Sequence, residues 1–135
     1  MDILIVDDEK DLCNILTSIC IRKNFTVSCA FNLLDALVQI ESFPLLMFLD
    51  NNLADGEGLE LVEQLKVRSP LTKIVFITAS SDLKIRDQAF IRGVDYFLAK
   101  PFQLQGVREI LSQMQHKRTK PTTSFSSMVH SEVYI

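Results

Sequence analysis

No apolar stretch in this sequence comes near the roughly 20 residues that a membrane-crossing helix needs, and no basic segment leads into an apolar one at its start. Basic residues are not in surplus either. Lys and Arg number 14 against 17 Asp and Glu, a formal net charge of −3, so nucleic-acid binding through a basic face is a poor expectation. Cysteine is scarce and odd in number, and Cys13, Cys20 and Cys29 have no metal-ligand spacing. They read as small buried residues in a reducing compartment. These absences together predict a soluble cytoplasmic protein.

What the chain does have is the material for a core. Its 135 residues suffice for one globular domain and fall short of two ordinary ones. Hydrophobic residues make up 47% of them, so disorder is not expected over most of the length. Short apolar runs recur: Ile3 to Val6, Phe25 to Ala30, Leu45 to Leu49, Ile74 to Ile77 and Val94 to Ala99. Most are continuous rather than alternating, which suits strands covered on both faces.

Helical patterns separate these runs. Leu12, Ile15, Leu16, Ile19 and Cys20 form one stripe. A second helix is expected from Asn32, with Asp35 near its N-terminal dipole, Ala36, Leu37 and Ile40 buried, and Pro44 barring continuation. Leu59, Val62 and Leu65 follow the glycines Gly56 and Gly58. A fourth helix is predicted from Asp82 to Arg92, with Ser81 as N-cap and Gly93 as stop. Its modest apolar content makes it the least firmly docked. Leu104, Val107, Leu111 and Met114 mark the fifth. Five βα units in alternation predict an α/β fold, a doubly wound five-stranded parallel sheet of (βα)5 type. Lys117 to Ile135 is rich in Ser and Thr and lacks a period, so residues 1–116 are expected to form the domain and 117–135 a tail or linker. The basic start of that segment, Lys117, Arg118 and Lys120, reads as a solvated helix end.

Chemistry is concentrated where these strands stop. Asp7 and Asp8 follow the first, Asp50 the third, Thr78 the fourth and Lys100 the fifth. In a parallel sheet all those ends lie on one edge, outside which doubly wound folds bind their ligands. Two carboxylates about 4 Å apart repel by roughly 4 kcal/mol at an effective dielectric near 20, so such a cluster needs compensation. A divalent cation supplies it, and few carboxylates with room for water and phosphate oxygens suit Mg²⁺. Lys100 and Thr78 add a fixed positive charge and a hydroxyl donor, both fitted to a phosphoryl group. The plainer alternative is that Asp7-Asp8-Glu9 only caps the first helix. It accounts for those three residues and leaves the other strand ends unexplained.

The residues Ile3 to Glu9 (ILIVDDE), Leu49-Asp50 with Asp55-Gly56 and Gly58-Leu59, Ile77-Thr78-Ala79, and Gly93 to Phe102 (GVDYFLAKPF) agree in order and spacing with one family. The sequence resembles the receiver domain of two-component response regulators from Met1 to about His116. The resemblance implies a strand order of 2-1-3-4-5. It also implies that Asp50 is the phosphoacceptor, taking the phosphoryl group from the phosphohistidine of a histidine kinase or histidine phosphotransfer protein. Asp8 would ligate Mg²⁺ directly and Asp7 through water, joined by Asp50 and the backbone carbonyl of Asn52. Lys100 and Thr78 would bind the phosphoryl group, Lys100-Pro101 would be cis, and Phe97 would move inward with Thr78. Tyr is common at that last position, so Phe97 offers no phenolic hydroxyl to a partner; it also reads as plain strand core.

The surface around the fourth helix, fifth strand and fifth helix would be the output face, acting on an effector protein or a fused output domain. No membrane or direct nucleic-acid contact is implied for this region. A phosphorylation-dependent homodimer is compatible with the resemblance, although Tyr96 stands where dimerising receivers often carry Asp. Enzymatic activity would be limited to self-phosphorylation from small phosphodonors and slow self-dephosphorylation. Ala54 departs from a frequent Pro, predicting a less rigid loop, and the small Ser80 would leave the site open to water that Asn52 could orient. Two rival readings are a receiver-like interaction module that takes no phosphate, and an Mg²⁺-dependent aspartyl phosphohydrolase. The second needs an Asp where this chain has Asn52. The chain is expected to be an N-terminal receiver cut from something longer.

Overall fold

The computed structural model describes residues 1–80 and 82–119, the side chains of 117–119 excepted. Five strands form its parallel sheet: β1 (Ile3–Val6), β2 (Val27–Ala30), β3 (Leu46–Asp50), β4 (Lys73–Thr78) and β5 (Tyr96–Ala99). They lie in the order 2-1-3-4-5, with Ile3 beside both Val27 and Leu46, Leu46 beside Lys73, and Val75 beside Tyr96. Five helices alternate with them: α1 (Lys10–Arg22), α2 (Leu33–Gln39), α3 (Val62–Arg68), α4 (Leu83–Arg92) and α5 (Leu104–Thr119). The α/β doubly wound expectation and the strand order both hold.

Successive strand side chains point to opposite faces, and the sheet uses this to build two cores. Ile3, Ile5, Phe48, Val75, Ile77 and Leu98 meet α1 and α5 through Leu16, Val107, Ile110 and Leu111. Leu4, Val6, Met47, Leu49, Phe76 and Phe97 meet α2, α3 and α4 through Leu33, Ala36, Val62, Leu65 and Ala89. Every residue of β1 and β3 is buried, which is why these runs read as continuously apolar. The edge strand β2 keeps Val27, Ser28 and Cys29 only half-buried. Cys13 and Cys20 are buried and Cys29 half-buried, so the expectation of small interior residues holds for two of the three.

Several boundaries differ from the sequence reading. Phe25 and Thr26 precede β2 because the chain turns there, with Asn24 at φ 65° and the Phe25 N–H bonded to the Cys20 carbonyl. Leu45 stays outside β3, and β5 starts at Tyr96. Leu59 lies in a 3-10 turn (Gly58–Leu61) ahead of α3, and Leu37 on α2 is only half-buried. The α4 cap is Asp82, whose carboxylate accepts from the Lys84 N–H, in place of Ser81, which lies outside the described residues. Only Ala89 of α4 is buried, against four residues of α1, so α4 has the shallow docking expected of it. Helix α5 continues three residues past His116, and 120–135 lie outside the described residues.

Candidate functional site

Parallel pairing sets the site. Asp50 is the last residue of β3 and pairs with Ile77, one residue before Thr78 ends β4. Thr78 pairs in turn with Ala99, the residue before Lys100. Asp7 follows β1, where its N–H bonds to the Ala30 carbonyl at 3.0 Å. The five reactive positions foreseen in the sequence therefore reach one edge of the sheet.

Asp7, Asp50 and Thr78 are buried there, while Asp8 is exposed. One carboxylate oxygen from each of Asp7, Asp8 and Asp50 lies within 4.8 Å of the others. Lys100 Nζ stands 3.4 Å from Asp50 Oδ1, 3.6 Å from Asp7 Oδ2 and 3.2 Å from Glu9 Oε1. Thr78 Oγ1 accepts the Ser80 N–H at 3.1 Å, and the Thr78 carbonyl accepts the Lys100 N–H at 2.8 Å. The Lys100-Pro101 bond is cis. Phe97 faces the α2–α4 side of the sheet, its ring centroid 6.1 Å from that of Phe76.

Charge is not balanced in this crevice. Burial, and then the Asp7 charge, push Asp50 up to about 6 in spite of Lys100. Burial raises Asp7 as well. For Lys100, burial favours the neutral amine, but Asp50, Asp7 and Glu9 outweigh it and hold the ammonium more firmly than usual. Asp7 Oδ1 accepts the Glu9 N–H at 2.9 Å, which fixes the carboxylate with its other oxygen towards the site. That oxygen, Asp7 Oδ2, and Asp50 Oδ1 are both buried without a hydrogen bond. Two orphaned carboxylate oxygens beside a third carboxylate form a hard oxygen donor set, which fits Mg²⁺.

The helix-capping alternative fares less well. Glu9 occupies the N-cap of α1 but makes no side-chain cap bond, and its carboxylate turns to Lys100 instead.

Three further residues shape the site, and sequence reasoning gave them no such part. Asn51 is buried; its Oδ1 accepts the Leu59 N–H at 3.0 Å, its carbonyl the Gly58 N–H at 2.8 Å, and its own N–H bonds to the Ile77 carbonyl at 2.8 Å. A Cβ on Gly58 would come within 2.6 Å of the Asp50 carbonyl oxygen, so the glycine permits the close approach. Asp55 accepts the N–H groups of Leu33 and Leu34, at the start of α2, at 2.9 and 3.1 Å. Between Asp50 and Gly58 the chain makes a small antiparallel hairpin, Asn52–Leu53 against Gly56–Glu57. Its nearness in the motif to Asp50 was the one available signal.

Fold and site together are those of a doubly wound α/β protein with an acidic crevice at its strand ends. Residues 3–112 match the model of the response regulator receiver domain, and the chain belongs to that family. It is 37% identical to response regulator protein PilR of Pseudomonas aeruginosa over 111 residues, which are 81% of this chain and 25% of PilR. With the transcriptional regulatory protein TctD of Salmonella typhimurium it shares 32% identity over 78% of its own length and 47% of TctD. A CheY-like receiver domain protein from Methanospirillum hungatei has the same fold, with TM-score 0.80 and 26% identity over 90% of this chain and 98% of that one. The chain thus spans less than half of either regulator. Receiver domains are signalling switches of two-component systems, and they bind Mg²⁺ at an acidic pocket.

Proposed function

We propose that this chain is a phosphorylation-activated switch in which Asp50 is the phosphoacceptor and Asp7, Asp8, Asp50 and the Asn52 backbone carbonyl hold Mg²⁺. The observation that carries the reading is the Asp50 carboxylate, buried yet presenting an oxygen without a hydrogen bond beside Lys100. An Asp50 oxygen attacks the phosphorus of a phosphohistidine on a histidine kinase or histidine phosphotransfer protein. The phosphorus–nitrogen bond breaks, the imidazole leaves with its electron pair, and Asp50 becomes an acyl phosphate. Bound Mg²⁺ would offset charge on the phosphoryl oxygens as they pass between donor and acceptor.

Lys100 then exchanges carboxylate partners for a phosphoryl oxygen, and Thr78 turns its hydroxyl to donate to another. Phe97 follows Thr78. Its burial between β4 and α4 supports this, since movement of one ring there repacks the neighbouring helix. The output face is then α4, β5 and α5, regulating an effector protein or an output domain beyond residue 116 in a cytoplasmic protein. The shallow docking of α4 favours that choice. Tyr96 is turned into the α5 side, its hydroxyl donating to Gln113 Oε1 at 2.8 Å, which leaves little of it for a homodimer contact. Chemistry on the chain itself stops at self-phosphorylation from small phosphodonors and slow self-dephosphorylation.

The test is intact-mass analysis after incubation with acetyl phosphate and Mg²⁺. One added phosphoryl group, lost in Asp50→Ala and without Mg²⁺, is the expected result. An unmodified wild-type chain overturns the reading in favour of an interaction module that takes no phosphate.

A further inference from the structure

The hairpin that follows Asp50 is held at its base and at its tip by different means. At the base, Asn51 binds Leu59, Gly58 and Ile77. At the tip, each Asp55 carboxylate oxygen takes one N–H group of α2, Oδ1 from Leu33 and Oδ2 from Leu34. The first N–H groups of a helix have no partner within it. In α2 those of its first three residues have partners: Asp55 takes the first two, and the Asn32 side chain takes that of Asp35 at 2.8 Å. A carboxylate in that position also meets the positive end of the helix dipole.

Packing reinforces the same junction. Leu53 is buried in the core that contains Leu33. Gly56, at φ 145°, lies so close to α2 that a Cβ there would sit 3.1 Å from Leu33 Cδ1. Two neighbouring loop residues, Asp55 and Gly56, therefore meet one helix end, across 22 residues of sequence in the case of Asp55 and Leu33.

We infer that Asp55 is a positioning residue. It locks the loop carrying Asn52 to the first turn of α2, so the loop is preset beside Asp50 and a change at Asp50 is passed to α2. The inference rests on the proposed switch for its second half. Its first half, that the lock sets the loop, rests on the proposed Asn52 metal ligand but not on phosphorylation, and is read in amide exchange and Mg²⁺ affinity. The lock also supplies stiffness that Pro would give at position 54. Helix α2 thereby becomes a second route out of the site, separate from Thr78 and Phe97.

Hydrogen exchange and Mg²⁺ titration, both followed by NMR on the full chain, test this in wild type, Asp55→Ala and Asp55→Asn. In Asp55→Ala the Leu33 and Leu34 amides should exchange roughly tenfold faster, with the Leu59 amide unchanged. The Mg²⁺ midpoint should rise about tenfold, the lower end of what supporting partners of metal ligands contribute. Asp55→Asn keeps one acceptor oxygen and should fall between. Adding acetyl phosphate with Mg²⁺ should shift the Leu33 and Leu34 resonances in wild type and not in Asp55→Ala. An unchanged Mg²⁺ midpoint in Asp55→Ala, or unchanged exchange at those two amides, overturns the inference. Failure of the switch itself looks different: wild type would take no phosphoryl group while the changes in exchange and Mg²⁺ midpoint persisted.

Discussion

The two loops that border the crevice are built on opposite principles. After β3, the chain from Asn51 to Gly58 is tied down by a buried amide, by a glycine in contact with backbone, and by a carboxylate bound to a neighbouring helix. After β4, the ties among the described residues are short-range and partly exposed: Thr78 Oγ1 accepts the Ser80 N–H, Ser80 Oγ the Asp82 N–H, and the exposed Asp82 caps α4, which then buries Ala89 alone. The difference suits the roles in the proposed switch. A nucleophile that must attack in line is best held still, whereas a group that would report the event needs neighbours that yield at small cost.

The largest break in this contrast is expected from Gly58→Ala. Its Cβ has to displace the Asp50 carbonyl, so unfolding in urea should show a loss of about 3 kcal/mol, the upper range for forced overpacking. The next concerns the charge stored on the rigid side. Burial pushes folded Asp50 up to about 6, against 3.8 for an ordinary Asp. The folded state thus keeps its proton longer than the unfolded chain. Its contribution is fully present below the ordinary value and is lost as pH rises through about 6. Without divalent metal at neutral pH, Asp50→Asn should therefore exceed wild type in stability by about 3 kcal/mol. That gain should vanish near the ordinary Asp value; a pH-independent difference would refute the buried-charge account. On the loose side, Asp82→Ala should cost only about 1 kcal/mol, read in the same urea titration, because it removes one exposed cap.

The strands and the reactive residues were legible because each signal was local. A fully buried strand is a continuous apolar run, and a residue just beyond it must lie at the sheet edge. What escaped the sequence was non-local or ambiguous. Asp55 binds a helix that precedes it by 22 residues, and no spacing rule connects the two. Asn51 looked like any polar residue beside Asp50, since its burial depends on how the following loop folds back. Glu9 had two suitors, the α1 amides and Lys100, and only the sheet order decides between them. Ser81 and Asp82 are both good caps, and one residue of offset separates them. Ala54, where Pro is frequent in the family, suggested slackness; the hairpin and the bonds of Asp55 to the Leu33 and Leu34 N–H groups were not legible beside it.

The floor of the crevice has a consequence for handling the protein. Cys13 Sγ donates to the Asp7 carbonyl at 3.3 Å, and burial pushes the thiols of both Cys13 and Cys20 up to about 12. Thiolate is the form that alkylating reagents capture. In the native molecule those two sulfurs are therefore silent, and their labelling clocks the opening of the α1 core, at Cys13 directly beside the Asp7 backbone.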